Sequence, residues 1–151
     1  MWLYNGSELK DSDIPEKSIG FIYKITYLLD GRWYIGRKNL KKTAYKTVKG
    51  KKKKIMVDSD WKDYWSSSDD VKTLVIEKGE AQFTKEILLF TDSASQTLYA
   101  EEALLYKTHA ILDPKCFNNN IRSKVYRKWF TDPKNIRFVQ EISNFNLTPN
   151  I

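Results

Sequence analysis

The sequence predicts an α+β fold, a small three-stranded antiparallel sheet flanked by helices, on three observations. Two apolar runs rich in β-formers, residues 20–27 and 32–37, stand on either side of Asp30-Gly31, a strong hairpin signal. A third run of β-formers spans 83–90. Two further stretches, 69–78 and about 95–112, carry helix start and stop signals. With 151 residues, 41% of them hydrophobic, the chain suits one domain around one core.

In chain order, residues 1–17 hold Gly6, Ser7, Asp11, Ser12, Asp13 and Pro15 and read as a lead-in of turns, with Trp2 and Tyr4 available to cap the core. The hairpin comes next. With a two-residue type I′ turn at Asp30-Gly31, Tyr34 lies opposite Tyr27 and Lys38 opposite Tyr23. Side chains alternate along a strand, so Tyr23, Ile25, Tyr27, Tyr34, Gly36 and Lys38 share one face, and Ile22, Trp33, Ile35 and Arg37 the other. Gly36 leaves room for a close approach. Residues 39–57 form a Lys-rich insertion with little apolar periodicity, with a short helical or hairpin piece around 49–56. After an aromatic and hydroxyl-rich segment, Ser68 caps a helix over 69–78, with Val71, Leu74 and Val75 on its apolar side and Gly79 as its stop. Asp92 or Ser93 caps a second helix that Asp113-Pro114 ends. The tail beyond Asn120 mixes basic and aromatic residues (Arg122, Lys124, Tyr126, Arg127, Lys128, Trp129 and Phe130) and adds a helix over 135–145. The expected partition is a lead-in over 1–17, a core domain over 18–120 and a C-terminal extension over 121–151 packed on the same domain.

Composition narrows the function classes. The net charge is +7, and ten basic residues with no acid fall between Arg37 and Val57. Such a run repels itself unless an anion neutralises it, and a phosphate backbone is the obvious one. Lys41, Lys42, Lys46, Lys49, Lys51, Lys52, Lys53 and Lys54 are therefore candidate nucleic-acid contacts. One cysteine, Cys116, and one histidine, His109, rule out an internal disulfide and leave too few ligands for a zinc site of the usual kind. His109 reads as a surface or core-edge residue, and Trp129 and Phe130 as tail packing. No apolar run approaches the roughly 20 residues of a membrane span, and no secretory leader is expected. A reducing cytoplasm is the expected compartment.

At the hairpin the sequence resembles the GIY-YIG nuclease superfamily. The first motif corresponds to Gly20-Phe21-Ile22-Tyr23, with one extra residue between glycine and isoleucine, and the second to Tyr34-Ile35-Gly36, unaltered. The third strand, the helix carrying Glu101 and Glu102, and the pair Phe117-Asn118 follow in the family's order. The resemblance covers roughly residues 18–120. It is nearest to the phage-type, free-standing branch, which has a Lys-rich insertion and a Trp-x-x-Tyr-x-x-Ser-like element, here Trp61, Tyr64 and Ser67, placed among the DNA-contact candidates. A phage-encoded protein would work in its host's cytoplasm.

The resemblance implies a metal-dependent DNA endonuclease that hydrolyses phosphodiester bonds. One divalent ion, Mg²⁺ or Mn²⁺, would be held by Glu101, with Glu102 as the alternate. Tyr23 would be the general base and Tyr34 would orient water or phosphate, or the reverse. A free phenol titrates near ~10, too high for a base at neutral pH unless a cation such as Lys38 lowers it. Asn118 would orient the glutamate or accept a backbone hydrogen. The family's usual arginine, about ten residues after the second-motif tyrosine, falls here on Ala44, so the phosphate cation would come from Arg37, Lys38 or a lysine such as Lys46. That substitution motivates the alternative, a catalytically impaired nucleic-acid-binding module on the same scaffold.

Overall fold

A computed structural model of the chain describes residues 1–121 and 127–147. The fold is α+β, but its sheet is larger than the three strands expected. The strands are β1 (Leu3–Tyr4), β2 (Ser7–Glu8), β3 (Gly20–Tyr27), β4 (Trp33–Asn39), β5 (Lys41–Val48), β6 (Lys51–Asp58) and β7 (Phe83–Thr91). The helices longer than one turn are α1 (Asp69–Lys78), α2 (Ala94–Lys107) and α3 (Pro133–Asn144). Five strands form one sheet in the order β2-β1-β7-β3-β4, antiparallel except where β1 runs parallel to β7. The N-terminal segment, expected as turns, thus pairs with the outer edge of β7. β5 and β6 form a separate two-stranded ribbon.

The β3–β4 turn departs from the two-residue expectation. Tyr27 and Arg32 close the hairpin, Tyr27 N–H donating to the Arg32 carbonyl at 2.8 Å, and residues 28–31 form a four-residue loop. Asp30 accounts for the difference. Its carboxylate accepts from the Arg32 backbone N–H at 3.0 Å and pairs with the Arg32 guanidinium at 2.8 Å, an Asx-type turn that consumes two residues more. The register therefore moves by two. Tyr23 lies opposite Gly36 and Lys38 opposite Phe21, not opposite Tyr23. A shift of two preserves parity, so the two faces keep their expected members.

Those faces meet different layers. Phe21, Tyr23, Ile25, Tyr27 and Tyr34 pack with Trp2, Trp61, Ile87 and the α1 residues Val71 and Val75. Ile22, Trp33 and Ile35 pack with Ala100, Leu104 and Leu105 of α2 and Ile142 of α3. A sheet buried on both faces needs helices on both, which gives three layers.

The α1 bounds match the expected ones: Ser68 Oγ accepts from Val71 N–H, and Gly79, at φ +87°, ends the helix. In α2, Ser93 is the cap, and the helix stops at Lys107, five residues short of the expected end. Thr108 Oγ1 donates back to the Leu104 carbonyl at 2.7 Å and the exposed His109 adopts φ +54°, so the chain turns before Leu112 can join the helix. The tail helix is present as α3, capped by Asp132 with Pro133 in its first turn. Phe130 packs on Tyr99 with ring centroids 5.1 Å apart. Arg122, Lys124 and Tyr126 lie outside the described residues.

Candidate active site

β4 is an edge strand, and the site is built around its free edge. The chain at 115–118 returns along the first half of that edge. Trp33 N–H donates to the Lys115 carbonyl, and Phe117 N–H to the Trp33 carbonyl. Asn118 then acts as a surrogate strand: its Oδ1 accepts from Ile35 N–H at 2.9 Å and its Nδ2 donates to the Ile35 carbonyl at 2.8 Å. Of the two roles expected for Asn118, these bonds correspond to pairing with the backbone. One amide N–H and the amide oxygen are thus committed to holding the strand.

A cleft of about 480 Å³ opens here, lined by Tyr34, Arg37, Ser67, Glu101, Glu102 and Asn118 among others. A second groove of about 480 Å³ shares Tyr34, Arg37, Ser67 and Glu101 and continues past Lys38, Tyr64 and Asp60 to Lys41 and Lys42. Arg37 and Tyr34 belong to opposite faces of β4, an apparent conflict if both serve one site. β4 is the outermost strand of its sheet, and both side chains line the same cleft at that edge. The Arg37 guanidinium pairs with Glu101 Oε2 at 2.7 Å. Burial raises the Glu101 carboxyl, Arg37 pulls it down and Glu102 pushes it up again, for a net rise above its ordinary 4.5.

The two tyrosines differ sharply. Tyr34 lines both grooves, and its hydroxyl lies 3.2 Å from Ser67 Oγ. Burial raises its pKa, Ser67 lowers it and the Glu101 charge raises it, for a net increase. Tyr23 is fully buried; Ser66 and Tyr64 stand near its hydroxyl, but none of the described residues makes a well-formed hydrogen bond to it. Burial, followed by the neighbouring phenols Tyr34 and Tyr64, holds it well above 10.0. Lys38 does not relieve it, because that ammonium pairs with Asp60 at 2.6 Å and sits 3.9 Å over the Tyr64 ring. The expected lowering of Tyr23 by Lys38 is thus overturned, and the cause is the two-residue register shift. Gly36 serves the tyrosines directly. A β-carbon there would stand 2.5 Å from the Tyr23 hydroxyl and 2.7 Å from Tyr34 Cε1.

The segment Trp61, Tyr64 and Ser67 covers the tyrosines from above. Trp61 was expected at the DNA but is 7% exposed and packs on Phe21, so it anchors the loop in the core. Tyr64 meets Tyr23 edge-on, and Ser67 holds Tyr34. Ser66, between them, is buried with φ +132°, a conformation that costs a non-glycine residue on the order of 1–3 kcal/mol. Sequence reasoning missed what holds this loop. Lys85 of β7 is 2% exposed, donates to the carbonyls of Tyr64 at 3.0 Å and Lys62 at 3.4 Å, and lies between the rings of Trp2 and Trp65. Trp2 Nε1 donates to the Trp61 carbonyl at 2.8 Å. The available signal was a lone lysine on the core face of a strand between Phe83 and Ile87.

The remaining candidates lie on the ribbon. Lys41 and Lys42 stand at its root, in the second groove, and Lys46, Lys49 and Lys51 to Lys54 lie farther out. Ala44 is on the ribbon as well. Counting ten residues from Tyr34 therefore leads into the insertion and away from the cleft.

A family model described as "Putative endonuclease segE, GIY-YIG domain" matches residues 2–121. The chain belongs to the GIY-YIG endonuclease superfamily. Neither a curated protein nor a solved structure matched. The match includes the lead-in, in keeping with the pairing of β1 to β7 and with Trp2 under the tyrosine loop. GIY-YIG membership supports a nuclease, and DNA is the substrate the family implies. Among the described residues, no helix is long and apolar enough to cross a membrane.

Proposed function

We propose that this GIY-YIG protein is a metal-dependent DNA endonuclease whose reacting phosphate sits in the cleft between Tyr34, Arg37 and Glu101. The observation carrying this reading is the convergence of a phenol, a guanidinium and a carboxylate across the free edge of β4. Arg37 is the phosphate cation in place of the arginine sought at Ala44. Its exposed guanidinium can turn toward a phosphate as the DNA backbone enters. Lys38, tied to Asp60, extends the positive wall toward the ribbon.

Glu101 fits a hard divalent ion. Its carboxylate lines the cleft and meets Arg37 through Oε2. Those residues hold no cluster of three or more His, Cys, Asp or Glu side chains suited to a metal. Mg²⁺ tolerates that, since it keeps several waters and takes one or two carboxylates plus substrate phosphates. Bound at Glu101, Mg²⁺ or Mn²⁺ would polarise a phosphate oxygen and offset the carboxylate charge that now raises Tyr34. Between the two tyrosines, the cleft favours Tyr34 as the group that meets the attacking water, with Ser67 fixing its hydroxyl. Tyr23 supports it from beneath.

Supercoiled DNA incubated with the protein and Mg²⁺, Mn²⁺ or chelator tests the reading. Metal-dependent nicking is expected, abolished in Glu101→Ala and retained in Glu102→Ala. DNA binding without cleavage under either metal would leave the impaired binding module as the better account.

A further inference from the structure

The ribbon of β5 and β6 is built differently from the rest of the protein. Its strands pair with each other through an unbroken register from Lys41 opposite Asp58 to Val48 opposite Lys51, closed by a two-residue turn at Lys49 and Gly50 with φ +50° and +74°. Its root is firmly fixed. Leu40 is buried, Ser59 N–H donates to the Leu40 carbonyl, Ser59 Oγ donates to the Asn39 carbonyl, and Lys41 pairs with Asp58 at 3.5 Å. Beyond the root it joins no other sheet, and Tyr45, Val48 and Met56 are exposed.

Its charge pattern is costly for a free hairpin. The register sets Lys46 directly opposite Lys53, a like-charge pair that destabilises a two-stranded sheet. Lysines occupy both faces. Lys46, Lys51 and Lys53 share one, and Lys52 and Lys54 the other with Tyr45. An element resting on a phosphate surface would need cations on one face only. Cations on both faces fit an element lying between two phosphate walls.

We propose that this ribbon enters the major groove of duplex DNA, with the lysines of its two faces against the two flanking phosphate backbones. Dimensions select the groove. A ribbon with side chains on both faces is about 10 Å thick, by the spacing at which sheets pack, against roughly 12 Å for the major groove of B-DNA and 6 Å for the minor. Eight-residue strands extend roughly 26 Å, ample for a groove about 8.5 Å deep. The deep, narrow major groove of duplex RNA does not admit such an element. The ribbon root also continues into the groove that holds Tyr34, Arg37 and Glu101, so a duplex gripped by the ribbon has its backbone at the cleft. The inference deepens the endonuclease reading and rests on it only for the choice of DNA.

The test uses the full chain in chelator, so binding is read apart from cleavage. Fluorescence anisotropy compares a 30-base-pair DNA duplex, one of its strands and an RNA duplex of the same sequence; dimethyl sulfate then probes guanine N7 in the major groove and adenine N3 in the minor. The DNA duplex should bind tightest, with N7 protected and N3 not. Lys46→Ala/Lys51→Ala/Lys53→Ala and Lys52→Ala/Lys54→Ala should each weaken duplex binding about 10-fold or more at 0.15 M salt, and flatten the salt dependence by roughly one per lysine removed. Both variants should melt with the wild type, since the ribbon joins no other sheet and these lysines are exposed. Unprotected N7, tighter binding to the single strand or to RNA, or one face whose lysines can be removed without loss would each overturn the proposal. So would variants that bind normally but aggregate, which would make the lysines mere protection of exposed strand edges. N7 protection without nicking in Mg²⁺ would keep the ribbon and remove the nuclease reading, and nicking with N7 unprotected would do the reverse.

Discussion

The hairpin of β3 and β4 and the ribbon of β5 and β6 follow one another along the chain with only Leu40 between them. Both are antiparallel, with strands of seven or eight residues. In the first, Phe21 to Tyr23 and Trp33 to Ile35 are buried, and each side chain is fixed by a layer above or below the sheet. In the second, most side chains are exposed and the structure rests on its own ladder, its turn and its root. On the proposed function, one motif serves two purposes. Catalytic geometry needs side chains whose positions the core dictates, which restricts the tyrosines to the packed hairpin. Gripping a long polyanion needs reach and charge, which a packed core would remove.

The largest effect expected from a single methyl group is at Gly36. With its β-carbon 2.5 Å from the Tyr23 hydroxyl and 2.7 Å from the Tyr34 ring, Gly36→Ala must displace one tyrosine or both. Overpacking of this kind costs typically 1–3 kcal/mol. Melting should fall accordingly and nicking should be lost, while duplex binding through the ribbon stays near wild type. Normal nicking in Gly36→Ala would show that the cleft tolerates a moved tyrosine and would remove the contrast between the hairpins.

The two tyrosines come next. Tyr34→Phe should slow cleavage on the order of 10²- to 10⁴-fold, the range for loss of an acid–base group, with stability little changed. Tyr23→Phe removes a buried hydroxyl that makes no well-formed hydrogen bond among the described residues, so it should leave stability equal or higher by roughly 1 kcal/mol. Cleavage by Tyr23→Phe should fall far less than by Tyr34→Phe. Steady-state nicking rates beside melting curves check both, and the opposite ranking would return the base to Tyr23.

A smaller effect concerns pH. Glu101 must be ionised to pair with Arg37 or hold a cation, so activity is lost as pH falls through its pKa. Burial holds that value above the ordinary 4.5 in the metal-free protein, and a divalent ion on Glu101 would lower it, so the acidic limb should move to lower pH as metal concentration rises. Arg37 lowers the pKa, so Arg37→Met should move the limb to higher pH along with reducing the rate. Glu102 raises it, so Glu102→Gln should move the limb to lower pH. An unmoved limb in both variants would mean that another group controls it.

Much of the packed region was legible in the sequence because its signals are local and redundant. Ser68 and Gly79 bracket α1 by cap chemistry alone, and strand alternation fixed the faces of β3 and β4. The register was not legible, because Asp-Gly fits a two-residue turn as well as a four-residue loop, and only the capture of Arg32 by Asp30 separates them. The same ambiguity displaced Lys38 from Tyr23. Lys85 escaped for another reason, since its importance depends on carbonyls and rings some twenty or more residues away in the chain. Those partners come together only in the folded protein. The Lys-rich segment gave no apolar period because neither face of the ribbon is core, so only a short helical or hairpin piece around 49–56 was expected where two eight-residue strands form.

The smallest effect separates the two hairpins most cleanly. Gly50 has φ +74° and open space around it, so an added methyl group meets nothing and the cost of Gly50→Ala is conformational, about 1–2 kcal/mol. In the packed hairpin a penalty of that size would spread into the global melting transition. In the ribbon it should stay local, because the ribbon joins no other sheet and can open while the core remains folded. Gly50→Ala should therefore accelerate amide hydrogen exchange across β5 and β6, weaken duplex binding a few-fold and leave the melting temperature and the β3–β4 amides unchanged. A lowered global melting temperature would mean that ribbon and core unfold as one unit.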